Sequence, residues 1–183
     1  MSVGGIDTGR YSHGAIVLHW VMAALLVVVS ILGLLHDTWP RPIQAYWINV
    51  HAMVGLAVLA LVVVRMWWRV KHRPPALPAD VDDVSRRLSH PVHLLLYALM
   101  IVIPLIGIVT FIWHGRIFDF GLFQLNPGVK SNRAVFHPTE EWHGYAAYAL
   151  FGLVGLHALA ALWHHFIRRD GLLMRMWPTA PRA

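Results

Sequence analysis

Residues Trp142 to Ile167 read WHGYAAYALFGLVGLHALAALWHHFI, a run of 26 residues without a single Asp, Glu, Lys or Arg. At about 1.5 Å of rise per residue, a helix of this length exceeds the ~30 Å hydrocarbon thickness of a bilayer. Within it, His143 and His157 stand fourteen residues apart. That is close to four helical turns, so both rings leave nearly one face, about 21 Å apart along the axis. Two side chains so placed cannot bind one metal ion. They can each serve a separate site stacked along the membrane normal.

Three earlier stretches are similarly apolar: Ala15–Leu35 and Val92–Trp113 carry no such charge, and Trp47–Trp68 carries only Arg65. Trp20, Trp39, Trp47, Trp67, Trp68, Trp113, Trp142 and Trp163 fall at or near the span ends, where an interfacial aromatic belt belongs. The whole chain is 57% hydrophobic and only 13% charged, with a mean hydropathy of +0.55. Buried helices of a soluble protein would rarely come as four such runs. The expected fold is therefore all-α, a four-helix transmembrane bundle, with residues 1–183 forming a single membrane domain. Its spans are expected at about 15–35, 47–68, 92–113 and 142–167. The first run is too long for the apolar region of a signal peptide. It leads into His36-Asp37-Thr38-Trp39-Pro40 rather than a small-residue cleavage site, and reads as a retained span.

Basic residues orient the bundle. With four spans, the N-terminus, the second loop and the C-terminus share one side. That side holds Arg10, Arg65, Arg69, Lys71, Arg73, Arg86, Arg87, Arg168, Arg169, Arg175 and Arg182. The opposite side holds Arg41, Arg116, Lys130 and Arg133. Eleven against four predicts that both termini are cytoplasmic. The sequence pI near 10.3 then reflects topology and anionic lipid rather than nucleic acid. The segment from His114 to Glu141 is expected as the long outer loop, with a turn at Asn126-Pro127-Gly128. The stretch from Lys71 to Ser89 is expected as a Pro-rich connector, and Pro104 as a tolerated kink inside the third span.

The chain has 13 histidines and no cysteine, which excludes thiolate-held iron–sulfur clusters and covalent haem attachment. A histidine inside a span usually faces the bundle interior and marks function. His51 lies near the outer end of the second span, at the depth of His143. His19 lies near the cytoplasmic end of the first span, at the depth of His157. Each matched pair offers two imidazoles from facing helices, an arrangement that can clamp a porphyrin iron. Gly55 and Gly144, beside the ligands, would let a flat macrocycle approach the backbone. Taken singly, any of these rings could be a satisfied interior residue, and a zinc site or proton relay remains open, although zinc gathers its ligands into one shell. His164, His90 and His93 cluster toward the cytoplasmic depth as competing ligands, pocket residues or interfacial groups. His13, His36, His72, His114, His137 and His165 read as solvated or interfacial.

Several motifs together resemble the bacterial di-haem cytochrome b561 family. They are Tyr11-Ser12 with Leu18-His19-Trp20; Val50-His51 with Gly55 and Val64-Arg65; and Leu88-Ser89-His90-Pro91-Val92-His93-Leu94 with Leu96-Tyr97. Pro104-Leu105-Ile106-Gly107 follows, then Trp142-His143, Gly155-Leu156-His157-Ala158 and His164-His165. The likeness runs from Tyr11 to about Pro178, strong at the histidines and weak in the outer loop. It is nearest to members that pass electrons from superoxide to ubiquinone. It implies two haem b groups, one held by His51 with His143 and the other by His19 with His157. It implies a quinone site at His164, with His93 and Ser12 as companions, and a multi-pass protein of the bacterial inner membrane.

Under that resemblance superoxide would be oxidised at the periplasmic face and ubiquinone reduced in the membrane. The outer-loop cations Arg116, Lys130 and Arg133 could steer a small anion there, although Asp119, Glu140 and Glu141 partly offset them, and haem-propionate pairing or plain solubility would also account for them. A protein partner is possible but not required. Two rival expectations share the sequence. One is a cytochrome b anchor subunit passing electrons between a dehydrogenase or hydrogenase partner and quinone. The other is a haem or metal carrier, or a proton channel.

Overall fold

A computed structural model of the chain describes residues 9–78 and 81–178. Arg182, counted above for orientation, lies outside the described residues. Four long helices dominate: α1 (His13–Leu34), α2 (Arg41–Lys71), α3 (Asp83–Trp113) and α4 (Arg133–Trp163). All four are long and apolar enough to cross a membrane. A π-helical turn (His164–Arg168) continues α4, and a short 3-10 turn (Leu173–Met176) follows.

The helices outrun the apolar stretches because their ends are set by caps, not by lipid. Ser12, Asp82 and Asn132 each accept a hydrogen bond from a backbone amide in the first turn of the helix they precede. Each such cap contributes about 1 kcal/mol. Pro42 opens α2, where its missing N–H costs nothing. Two sequence expectations are corrected accordingly. Residues Asp83 to Ser89 belong to α3 rather than to the Pro-rich connector, and the helix runs on through Pro91 and Pro104. Residues Arg133 to Glu141 belong to α4, through Pro138, so the outer segment is shorter than expected. That segment carries a small antiparallel hairpin, β1 (Phe118–Asp119) with β2 (Gln124–Leu125), in which Phe118 pairs with Leu125. Asn49 ties it to α2: its side chain donates to the Asp119 carbonyl at 2.8 Å and accepts from the Asp119 amide at 3.1 Å.

Close backbone packing joins α3 to α4, α1 to α2 and α2 to α3. One layer of buried residues, Met22, Val62, Leu96, Met100, Ile103 and Leu150, draws on all four helices. Leu150 is midway between His143 and His157, so this apolar layer separates the two histidine depths.

At one end of the bundle the chain's first and last described segments meet the α2–α3 connection. Trp20 donates its indole N–H to the Met176 carbonyl at 2.7 Å, and Arg10 reaches the Trp177 carbonyl at 2.5 Å. Arg175, buried, donates to the carbonyls of Ala76 (2.7 Å) and Gly9. These three segments are the ones that the count of basic residues assigned to a common side.

Candidate haem and quinone sites

Depth matching paired the histidines in advance, and the four rings do meet in those pairs. His51 on α2 and His143 on α4 have ring centroids 6.0 Å apart. His19 on α1 and His157 on α4 have centroids 6.3 Å apart. Two imidazoles sharing one metal through bonds of about 2 Å each bring their ring centres to roughly 6 Å. The spacing in both pairs therefore fits a bis-imidazole iron. Among the described residues no group of three or more His, Cys, Asp or Glu is placed to hold a metal ion. A protein-only zinc shell thus finds no support, whereas a porphyrin, which supplies four nitrogens itself, needs only the two rings.

The outer pair is oriented by the backbone. His51 Nδ1 lies 3.0 Å from the Val29 carbonyl, and His143 Nδ1 lies 3.0 Å from the Ile103 carbonyl. A carbonyl can only accept, so each Nδ1 carries the proton and each Nε2 is left with a free lone pair for a metal. The glycines near these rings divide into two kinds. A Cβ built on Gly33 would stand 3.0 Å from His51 Cε1, and one on Gly107 would stand 3.0 Å from His143 Cε1. These two glycines, from α1 and α3, let the Cε1–Nδ1 edges of the rings approach a neighbouring helix closely. Gly55 and Gly144 have nothing within 4 Å of such a Cβ. Their backbone is open to a flat group, and it is Gly33 and Gly107 that lie against the His51 and His143 rings. Gly107→Val is expected to push His143 off its carbonyl and weaken haem retention at the outer pair by roughly ten- to a hundredfold. Haem titration of the purified apoprotein checks this.

The inner pair has a third ring beside it. His93 on α3 lies 5.3 Å from His157 between centroids, and its Nδ1 sits 2.5 Å from the Ser89 carbonyl. One turn further along α3, the Tyr97 hydroxyl accepts from Arg65 Nε at 3.0 Å. Arg65 lies within α2, and among the described residues no carboxylate comes within 4 Å of it. A guanidinium in a span needs an anionic partner, and the carboxylates of a porphyrin are of that kind. Sequence reading quoted Arg65 only as part of a motif and counted it among loop charges. Its place one helical turn inside Arg69 was the signal available.

His164 is placed differently from a ring offered to a ligand. It is 7% exposed, and both nitrogens are engaged: Nδ1 with the Asp170 carboxylate, Nε2 with Ser85 Oγ at 3.1 Å. Ser85 also contacts Asp82, its amide donating to Oδ1 and its hydroxyl lying against Oδ2, both at 2.9 Å. The Ser85 amide and hydroxyl, helped by Arg168, hold the Asp82 carboxyl below the usual carboxylate range. Ser12 caps α1, and its hydroxyl oxygen also accepts from Trp68 Nε1 at 2.9 Å. Asp170, Ser85 and Asp82 were missed from sequence, since nothing local in the chain connects them.

At the other end, Lys130 and Arg133 are exposed and Arg116 is half-buried. Burial pulls the Arg116 guanidinium below its ordinary value and Glu140 opposes that shift, yet an arginine remains cationic at neutral pH. His114 stacks on Phe136 with centroids 3.8 Å apart and faces Glu140 at 3.6 Å.

Four membrane-spanning helices with imidazoles paired across their interior define the class: a haem-binding helical bundle. The family model for prokaryotic cytochrome b561 matches residues 10–179, and the chain belongs to that family, whose members bind haem b and carry electrons in membranes. The chain is 29% identical to a probable superoxide oxidase CybB of Yersinia pestis, over 92% of its own length and 96% of the relative's. It is 26% identical to cytochrome b561 homolog 1 of Escherichia coli, over 92% and 97% of the two chains. It is 30% identical to a cytochrome b562 of Cereibacter sphaeroides, over 91% and 94%. The chain is thus a multi-pass bacterial membrane cytochrome of oxidoreductase type.

Proposed function

We propose that this single membrane domain carries two haem b groups and moves electrons from superoxide at the periplasmic face to ubiquinone in the inner membrane, with both termini in the cytoplasm. The observation that carries the reading is the pair of imidazole gaps, 6.0 Å and 6.3 Å, at two depths of one bundle. His51 and His143 would hold the outer haem and His19 and His157 the inner one, and Arg65 with Tyr97 would offer a cationic partner to a carboxylate of the inner porphyrin. Haem supplies one-electron chemistry, and ligation from both sides leaves no coordination position for oxygen. The protein's part is placement and field. Superoxide is drawn from the similarity to the Yersinia relative and from Arg116, Lys130 and Arg133, which favour a small anion at the outer end. His93 and Ser12 lie at the same end of the bundle as His164 and remain with it as quinone-site residues.

The test is direct. Haem-loaded protein in detergent with ubiquinone is exposed to a steady superoxide flux, and haem reduction and quinol formation are followed optically. Reduction of the haems by superoxide, abolished by superoxide dismutase, is expected. Haems that stay oxidised would sink the donor. Lys130→Glu is expected to lower the superoxide rate several-fold at low salt and to flatten its ionic-strength dependence. An unchanged salt profile would remove the steering role.

One observation favours a second reading, the anchor subunit. The outer hairpin exposes Leu122 (98%) and Phe123 (62%), apolar surface of the kind that a protein partner covers. If superoxide leaves the haems oxidised while a co-purifying dehydrogenase reduces them, the anchor reading replaces the first.

A further inference from the structure

The side chains around His164 form one unbroken hydrogen-bonded line that haem ligation does not use. Asp82 stands at the head of α3, Ser85 one turn inside it, His164 on the π-helical turn beyond α4, and Asp170 past that turn. The links are Asp82 Oδ2 to Ser85 Oγ at 2.9 Å, Ser85 Oγ to His164 Nε2 at 3.1 Å, and His164 Nδ1 to the Asp170 carboxylate. Side-chain exposure falls along the line, from 35% at Asp82 to 9% at His164 and 4% at Asp170. One end therefore meets water and the other is a buried carboxylate. Every member between them can both give and take a proton, since a hydroxyl and an imidazole are each donor and acceptor. Arg168 borders the line, 3.9 Å from the Asp82 carboxylate.

We propose that Asp82, Ser85, His164 and Asp170 form a proton path from the aqueous surface to the quinone, which makes His164 a relay rather than a group bound to the quinone. The proposal rests on the quinone-reducing reading above. Reduction of one quinone consumes two electrons and two protons and yields one quinol. The electrons come through the haems, two superoxide anions each giving one and leaving as dioxygen. The protons must come from water. In each transfer Ser85 passes its hydroxyl proton to His164 Nε2 and takes another from the Asp82 side. The imidazolium releases its Nδ1 proton to Asp170, which passes it to a quinone oxygen, and the ring turns over to return its remaining proton to the Asp170 side before the second transfer. A buried imidazole held between a serine and an aspartate could equally be a staple for the chain's last segment. The two roles differ in what a conservative change does.

Asp82→Asn separates them, because asparagine caps a helix as well as aspartate does but cannot carry an exchangeable acid proton. Ser85→Ala cuts the line one link further in, and Ser85→Thr restores the hydroxyl. Each variant is purified with haem, given ubiquinone and reduced through the haems. Haem content, quinol formation and the solvent deuterium isotope effect are measured. Asp82→Asn and Ser85→Ala are expected to keep full haem content and haem reduction rate. Both should slow quinol formation at saturating quinone about tenfold, a barrier increase of about 1.4 kcal/mol, without a matching rise in KM. The isotope effect should grow, and Ser85→Thr should recover most of the rate. Wild-type quinol formation that both variants match would overturn the path and leave quinone reduction standing. Slowing that tracks haem loss, with an unchanged isotope effect, would make the line a staple and also overturn it. If the wild type forms no quinol, the quinone reading and the path fall together.

Discussion

His143→Ala is expected to halve the haem content, from two groups per chain to one, as read by pyridine haemochrome against protein mass. The ring lost is one of the pair that meets at the outer site, and a porphyrin iron gripped from one side by His51 alone would be held far more weakly. The inner pair lies about 21 Å away along α4, beyond the apolar layer that includes Leu150, so its spectrum should persist unchanged. The remaining haem should no longer accept electrons from the outer face, and turnover with superoxide should fall by at least two orders of magnitude, about 2.7 kcal/mol or more of lost rate. Retention of two haems would break the pairing of His51 with His143. Loss of both would mean that the two sites are not independent.

His157→Ala carries the second large effect, and His93 makes it informative. The same loss of one haem is expected, now from the inner site, together with loss of quinone reduction while the outer haem still takes up electrons. His93 lies within ring contact of His157. Its Nδ1 is held to the Ser89 carbonyl, which leaves Nε2 as its only metal-binding nitrogen. In the His93→Ala variant both haems should remain, and in His157→Ala His93 should fail to replace the lost ligand. A His157→Ala protein that keeps two haems would transfer the ligand role to His93. Counting haem in both variants and in the double variant decides between the two rings.

The spans were legible because hydrocarbon imposes one requirement on every residue within it, and the apolar stretches state that requirement openly. The helix ends were not. Asp82 and Asn132 fix them outside the lipid by capping bonds, so α3 begins nine residues before the expected span and α4 begins nine before its own. The pairing of histidines could be read because depth along a straight helix follows from counting. Contacts across helices could not. Gly33 and Gly107 lie against the outer rings although neither is near them in the chain, and Gly55 and Gly144, which are near them, have open space where a Cβ would stand. The line from Asp82 to Asp170 was hidden for the same reason. It joins residues 79 apart, and it depends on a π-helical turn that no residue pattern announces.

The two imidazole pairs would not be equivalent as haem ligands. His51 and His143 each give their Nδ1 proton to a main-chain oxygen, whereas among the described residues His19 and His157 have no such acceptor. A ring that shares its proton is the stronger electron donor, and it favours the ferric state of an iron bound to it. The periplasmic iron should then have the lower midpoint potential of the two, and the slope so created runs inward. Two main-chain oxygens, Val29 and Ile103, would then give electrons a downhill step toward the inner iron.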